Sequence, residues 1–257
     1  MIRPLHRGLS GTVAVLSMGS LLALPSLAHV PLPATGPSSV VAEANAINIK
    51  PTDLSTSLHW KAAPPGKSSK AVAALAVRTL TCLKKVGPVS PDPFGTIGKS
   101  GGVVVADISS PTYYDKAATL TQLPSASSEV VFMTKASGAN TDLSTFARSG
   151  SLACLSAQLV GDSSLEGAGK GIKGGAAYLA APRHGTGNGG LLVRFVESGG
   201  NFALLKQKLY DDEYFYVQGT AEVSMSFINL GSPFDPTWAN AAVSNVMARA
   251  ASELGKS

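Results

Sequence analysis

Residues 214–228 read YFYVQGTAEVSMSFI, and this stretch decides the fold class. Apolar and polar side chains alternate along it. The odd-numbered positions are mostly apolar, up to Phe227, and the even-numbered positions include the polar residues Glu222 and Ser226. A period of two is typical of a β-strand that turns one face to a core and the other to water. The stretch therefore predicts an antiparallel sheet that is covered on one side only.

Further strands are predicted where short apolar or β-branched runs lie between turn signals. These runs are residues 101–108, 129–135, 176–182, 191–197 and 202–209. The run 176–182 and the run 191–197 flank a turn-rich segment, which indicates a hairpin. Asp211-Asp212-Glu213 separates the last run from 214–228 and is interpreted as a solvated hairpin tip. The alternative is a cation site, although a calcium loop needs acids at alternating positions.

Three helices are predicted from apolar residues that recur every three or four positions. One covers residues 69–86, and a second covers 142–159, where Gly150 can split it into two. Asp235 followed by Pro236 has the pattern of a helix start and opens the third. The fold class is therefore α+β: a mostly antiparallel sheet of about six strands, with two inner helices and a C-terminal helix packed on it.

The N-terminal part of the chain predicts export. Residues 1–28 carry Arg3 and Arg7 ahead of an apolar run and end in small residues, as secretory signal peptides do. An uncleaved membrane anchor is the alternative. Residues 29–50 are rich in Pro, Ser and Ala and are predicted to be a linker, which leaves 51–257 as a single domain. No stretch after the signal is long and apolar enough to span a bilayer.

The net charge supports the same location. Loss of the signal peptide takes away two arginines and no acidic residue, so the formal charge falls from +5 to +3. Most of the basicity thus belongs to export, which argues against nucleic acid as a partner. We expect a secreted, extracellular protein that is free or associated with the cell wall.

The sequence lacks the residue spacings that nucleotide-binding, metal-binding and catalytic motifs require. The three Gly-Lys-Ser triplets lack the upstream glycine of a phosphate loop, and the Gly-rich 167–174 precedes a strand instead of joining a strand to a helix. No Gly-x-Ser-x-Gly is present, and His184 is expected at a solvated hairpin tip. His59, His184 and the two cysteines show no metal-ligand spacing. The sequence predicts no cofactor, no nucleotide, no metal and no catalytic residue, hence no enzyme.

The two cysteines are predicted to form a disulfide. Cys82 and Cys154 each lie on or beside the apolar face of an inner helix. In an exported protein such a pair is more often bonded than free. The alternative is two separate buried thiols.

Three tyrosines are the candidate ligand- or partner-binding residues. Tyr210, Tyr214 and Tyr216 flank the acidic triplet. On an open sheet face they would form an aromatic platform for a partner or a glycan. Under a terminal helix they would be ordinary core residues instead. The sequence leaves both interpretations open.

The chain resembles uncharacterised secreted proteins and lipoproteins of actinomycetes. The resemblance is carried by the Thr52-Asp53-Leu54…Trp60 opening, the Cys-Leu pairs in the two inner helices and the Trp238 helix. The layout is similar to the extracellular sensor domains of mycobacterial receptor kinases, although it has one possible disulfide where those have two. The resemblance implies a non-enzymatic envelope role and transfers no site residue.

The leading functional hypothesis is a secreted, non-catalytic envelope protein: a binding or sensor-like module for a small apolar ligand or for an envelope protein, glycan or lipid. The alternative is an extracellular hydrolase that acts on wall or lipid material through an unrecognised site. A structural surface protein without a small ligand is the third possibility. A hydrogen-bonded Ser–His pair would favour the hydrolase, and a filled core without a groove would favour the structural role.

Overall fold

The strands form one antiparallel sheet. The computed structural model describes residues 38–63, 70–90, 104–117, 123–165, 169–184 and 189–255, so the predicted signal peptide lies outside the described residues. The strands are β1 (Trp60–Ala62), β2 (Val104–Ser109), β3 (Tyr113–Asp115), β4 (Ser125–Met133), β5 (Lys173–Leu179), β6 (Leu191–Ser198), β7 (Leu209–Gln218) and β8 (Ala221–Leu230). Their order is β1-β3-β4-β8-β7-β6-β5, and β2 also pairs with β4.

Helices lie on both faces of this sheet. They are α1 (Ser38–Ile47), α2 (Lys70–Val86), α3 (Ala136–Phe146), α4 (Ser149–Leu165), the short α5 (Gly200–Leu204) and α6 (Pro236–Leu254), with a 3-10 turn at Pro51–Asp53. One core cluster joins α1 and α6 to the sheet, and a second joins α2, α3 and α4 to it. The predicted α+β class, with a C-terminal helix packed on an antiparallel sheet, is confirmed. Within the described ranges, no helix combines the length and apolar character needed to cross a bilayer.

The face predicted to be wet is buried. Every residue of β8 is buried, including Glu222 at 0% and Ser226 at 1% exposure. The turn exchanges the faces between the two strands, since Phe215 of β7 pairs with Ser224 of β8. The apolar residues of β8 therefore pack under α1 and α6, whereas Phe215 and Val217 of β7 lie on the opposite face, which α3 contacts. Phe146 of α3 meets Phe215 of β7 edge to face, with ring centroids 5.3 Å apart. The expected one-sided covering is wrong because α3 and α4, from an earlier part of the chain, cover the second face, and the apolar residues of 214–228 are divided between the two faces.

The acidic triplet is not a hairpin tip. Asp211, Asp212 and Glu213 lie in the middle of β7 and are buried. The chain turns instead between Gln218 and Ala221, which pair directly. Gly219 has φ +58° there, as the first position of a two-residue type II′ turn requires. Residues 214–228 are therefore parts of two strands, and the first three residues of the predicted run 202–209 belong to helix α5.

The second half of the predicted linker is folded. In the segment 29–50, residues from Ser38 onward form α1, in which Ala44 and Ile47 are fully buried. The Asn48 side-chain amide donates to the Ile108 carbonyl at 2.9 Å, in the core between α1 and β2. The short apolar pattern was too weak to predict a helix, and burial against the sheet supplies the stability instead.

Several local predictions are confirmed. Helix α2 matches the prediction to within one residue, and β5 and β6 pair as the predicted hairpin. The helix predicted around Gly150 is divided into α3 and α4, with the break at residues 147–148. Asp235 caps α6, because its side chain accepts hydrogen bonds from the amides of Thr237 and Trp238.

The predicted disulfide is formed in the structure. Cys82 of α2 and Cys154 of α4 are bonded, with their Cα atoms 5.7 Å apart and a sequence separation of 72. The two helices pack closely, since a Cβ on Gly161 would lie only 2.6 Å from the Leu75 side chain. Closing so long a loop stabilises the fold by about 2–4 kcal/mol. A disulfide of this kind is typical of proteins outside the reducing cytoplasm.

Arg249 connects the first and the last helix of the described chain, α1 and α6. Its guanidinium donates to the carbonyls of Ala46, Ile47 and Asn48, at 2.9–3.1 Å, at the end of α1. It also makes two 2.7 Å hydrogen bonds to the Asp53 carboxylate, whose side chain is 5% exposed. One side chain of α6 thus caps α1 and neutralises a buried acid.

Replacement of Arg249 should destabilise the fold strongly. Arg249→Ala leaves the Asp53 carboxylate buried without its charge partner, so we expect a loss of about 3 kcal/mol in the free energy of unfolding. Urea titration followed by circular dichroism measures the loss. The exposed Arg78→Ala of α2 is the matched control and should change stability by less than about 0.5 kcal/mol. Equal effects of the two substitutions would contradict the proposed role of Arg249.

Candidate ligand groove

Two of the three candidate tyrosines are core residues. Tyr214 and Tyr216 are each 2% exposed and lie on the face that α6 covers. The Tyr214 hydroxyl is 3.4 Å from Asn240 Oδ1 of α6, and the Tyr216 hydroxyl donates to the Pro182 carbonyl at 2.9 Å. Burial raises the pKa of Tyr214 to about 12. The interpretation of these two residues as an exposed platform is therefore wrong. Tyr210 remains partly exposed.

The acidic triplet is held by its own sheet. Asp212 forms a bidentate ion pair with Arg194 of β6, at 2.6 and 2.8 Å. Asp211 points to the opposite face and accepts a 2.8 Å hydrogen bond from the Ser226 hydroxyl. Among the described residues, no group of His, Cys, Asp or Glu has an arrangement suited to a metal ion. The triplet is neither a calcium loop nor a solvated tip.

Buried carboxyl groups collect on the face under α3 and α4. Asp107 of β2 is hydrogen-bonded to Glu129 of β4, and Asp142 of α3 to Glu222 of β8. A hydrogen bond between two carboxyl groups requires a proton on one of them. Burial raises the pKa of Asp107 and Asp142 accordingly. Burial likewise raises the pKa of Glu197, which accepts from the Ser163 hydroxyl at 2.6 Å, to about 7.

These carboxyl groups should make the protein more stable in mild acid. A raised pKa means that the folded state binds a proton which the unfolded state releases at lower pH. The stabilisation is complete below pH 4 for these groups and is lost as pH rises toward 7, the pKa of Glu197. We expect the free energy of unfolding to fall by about 2 kcal/mol between pH 5 and 8.

The pH dependence is measured by urea titration at several pH values. Glu197→Gln keeps an acceptor for Ser163 but carries no titrating proton, so its profile should be flatter over this range. A free energy of unfolding that rises steadily from pH 5 to 8 would contradict the assignment of protonated carboxyl groups to this face.

A serine and a histidine meet beside α6. The Ser244 hydroxyl lies 3.3 Å from His184 Nδ1, and the His184 ring packs edge to face on Tyr216. Burial lowers the pKa of His184, which is half-buried and not at a solvated tip as predicted. The Ser244 hydroxyl donates to the Asn240 carbonyl at 2.8 Å, so its proton is directed away from the histidine. His184 Nε2 has no hydrogen-bond partner among the described residues to orient the ring as a general base.

A half-enclosed groove of about 320 Å³ opens where β8 leads into α6. Such a volume lies at the lower end of the range of small-molecule sites, about 300–1,000 Å³. Its apolar walls are Leu58, Pro124, Pro233, Phe234 and Trp238. Its polar groups are Asn229, Ser232 and Asp235.

An aromatic cluster holds the wall of the groove. Phe234 is buried and its ring is surrounded by those of Phe227, Trp60 and Trp238, at centroid distances of 5.2, 6.3 and 6.4 Å. Trp60 Nε1 donates to the Ser55 carbonyl at 2.8 Å. Both tryptophans of the chain therefore belong to this cluster, and Trp238 is the one that lines the groove.

The polar groups of the groove keep part of their hydrogen-bonding capacity. Asn229 Oδ1 accepts from the Leu123 amide at 3.1 Å, and Asn229 Nδ2 reaches the Ser232 hydroxyl only at 3.4 Å. Asp235 uses Oδ1 for its helix cap, which leaves Oδ2 without a hydrogen bond from the described residues. An amide N–H, a hydroxyl and one carboxylate oxygen can therefore face a ligand.

None of the candidate site residues predicted from the sequence is among the described residues that line this groove. Tyr210 pairs across the strands with Asn229, a lining residue, but is not itself one of that set. The groove residues themselves were missed, because Asp235 was interpreted only as a helix start. Leu58 and Pro124 come from distant parts of the chain, and no local motif joins them to residues 229–238.

Comparison with known proteins gives a likeness in structure alone. No protein-family model and no curated protein sequence matches the chain. A solved structure that is similar is the extracellular domain of PknH from Mycobacterium tuberculosis, with a TM-score of 0.46 and 11% identity over 89% of this chain and 100% of that one. The similar structure is thus an extracellular mycobacterial domain, in agreement with the resemblance that the sequence indicates.

Proposed function

We propose that this chain is an exported, non-catalytic binding protein of the cell envelope, and that its ligand binds in the groove beside Trp238. The observation that carries the proposal is the groove itself. It combines an aromatic wall with a few polar groups that retain unused donors and acceptors. That combination is common in small-molecule sites.

Export is proposed from two features of the chain. Residues 1–28 have the composition of a secretory signal peptide. The Cys82–Cys154 disulfide fits an oxidising compartment outside the cytoplasm. The mature protein would then be secreted or associated with the cell wall.

The state of the polar side chains supports binding over catalysis. Asp212 is neutralised by Arg194, and Asp107 and Asp142 share hydrogen bonds with other carboxyl groups in the core. A general acid or base must reach its substrate within hydrogen-bond distance. Among the described lining residues of the groove, the one carboxylate is that of Asp235, which already caps a helix.

Native mass spectrometry of the chain secreted by an actinomycete host tests the proposal. We expect an adduct of small mass that dissociates when the protein is denatured. Trp238→Ala should abolish the adduct, because it removes the largest wall of the groove. The exposed Val77→Ala on α2 is the control and should keep it. An adduct that survives Trp238→Ala would place binding elsewhere, and a chain without any adduct would favour a structural surface protein.

The Ser244–His184 contact is the observation that favours a hydrolase instead. Its test is labelling with a fluorophosphonate probe, which reacts with activated serines. The hydrogen bond from Ser244 to Asn240 leads us to expect no labelling. Labelling that disappears in Ser244→Ala would replace the binding proposal with an enzymatic one.

A further inference from the structure

We infer that the groove beside Trp238 binds a neutral sugar, a pyranose ring presented by a glycan. This inference rests on the proposed binding function and adds the chemical class of the ligand. A pyranose has an apolar face of C–H groups and an edge of hydroxyl groups, so a site for it needs an aromatic wall beside carboxylate or amide groups.

The aromatic wall meets the first requirement. Trp238 lines the groove, and the edge-to-face contact with Phe234 holds its ring. Phe234 is itself 2% exposed and packs on Phe227 of the core, so the wall has a rigid support. A large, rigid aromatic ring gives contact area at a low cost in conformational entropy.

The polar groups meet the second requirement. Asp235 Oδ2 can accept from two hydroxyl groups of a sugar, while the Ser232 hydroxyl and an Asn229 N–H can donate to ring or hydroxyl oxygens. These three side chains lie on one stretch of chain, in and after the end of β8. Hydrogen bonds to an ionised carboxylate are the stronger kind, so Asp235 should contribute most to binding.

The charge of the groove selects a neutral ligand. Among the described residues that line it there is no Lys or Arg, and Asp235 is the one charged group of that set. Arg194 lies on the same cross-strand row as Phe227, and its charge is neutralised by Asp212, which accepts from Nε and Nη2. Phosphate, sulfate and fatty-acid carboxylate groups would therefore meet a carboxylate without a free cation to compensate it.

Tryptophan fluorescence tests the inference on the full mature chain. Trp60→Phe leaves Trp238 as the sole tryptophan and the reporter of the groove. The titrants are the methyl glycosides of glucose, galactose and mannose, chitobiose and dodecanoate. We expect at least one sugar to shift the emission saturably, and dodecanoate to leave it unchanged.

Asp235→Asn separates binding from folding. Asparagine caps a helix about as well as aspartate, so the fold should persist. The substitution replaces the acceptor Oδ2 with a donor, and we expect the dissociation constant of the sugar to rise at least tenfold. Glu253→Gln removes the same charge about 27 Å away along α6 and is the matched control, which should leave the constant within twofold.

The outcomes distinguish a failure of the sugar assignment from a failure of the proposed binding function. A sugar that binds equally to Asp235→Asn and to the parent would overturn the assignment of the site. Saturable binding of dodecanoate without any sugar would overturn the sugar and keep the binding function. If no titrant binds while the native adduct is present, the adduct's mass shows whether the ligand is a glycan, and a mass without hexose units overturns the inference. If no titrant binds and no adduct is present, both claims fail.

Discussion

The central strands of the sheet have no side that faces water, and the rest of the structure follows from this constraint. β7 and β8 are buried almost throughout. One face is covered by α1 and α6. The other face, which combines apolar residues such as Phe215 with buried carboxyl groups, is covered by α2, α3 and α4. Arg249 joins α1 to α6 on the first side, and the Cys82–Cys154 disulfide joins α2 to α4 on the second.

This covering also determines where chemistry can occur. Carboxyl groups on the second face are enclosed and share protons or hydroxyl donors, so they contribute to a pH-dependent stability and not to a surface site. Tyr214 and Tyr216 are enclosed on the first face. The groove proposed for a small ligand lies instead at the end of the sheet, where β8 is followed by α6.

The sequence predicted those elements whose signals are local. The apolar stripe of α2, the Asp235 cap of α6 and the β5–β6 hairpin were all found, and with them the α+β class. The acidic triplet was predicted to be solvated because the residue that neutralises it lies on another strand. Asp212 is buried in an ion pair with Arg194 of β6. Helix α1 and the groove depend on contacts between distant segments, which leave no periodic signal in a single sequence.

Hydrogen exchange measured by mass spectrometry tests this two-sided covering most directly. The amides of residues 43–49, including Asn48 and Ile49, bond within α1 or to Ser128 of β4. If α1 belongs to the core, these amides should exchange nearly as slowly as those of β8, over hours. Exchange of residues 43–49 within seconds, while β8 stays protected, would show that the segment is a free tether and that the face under α1 is open.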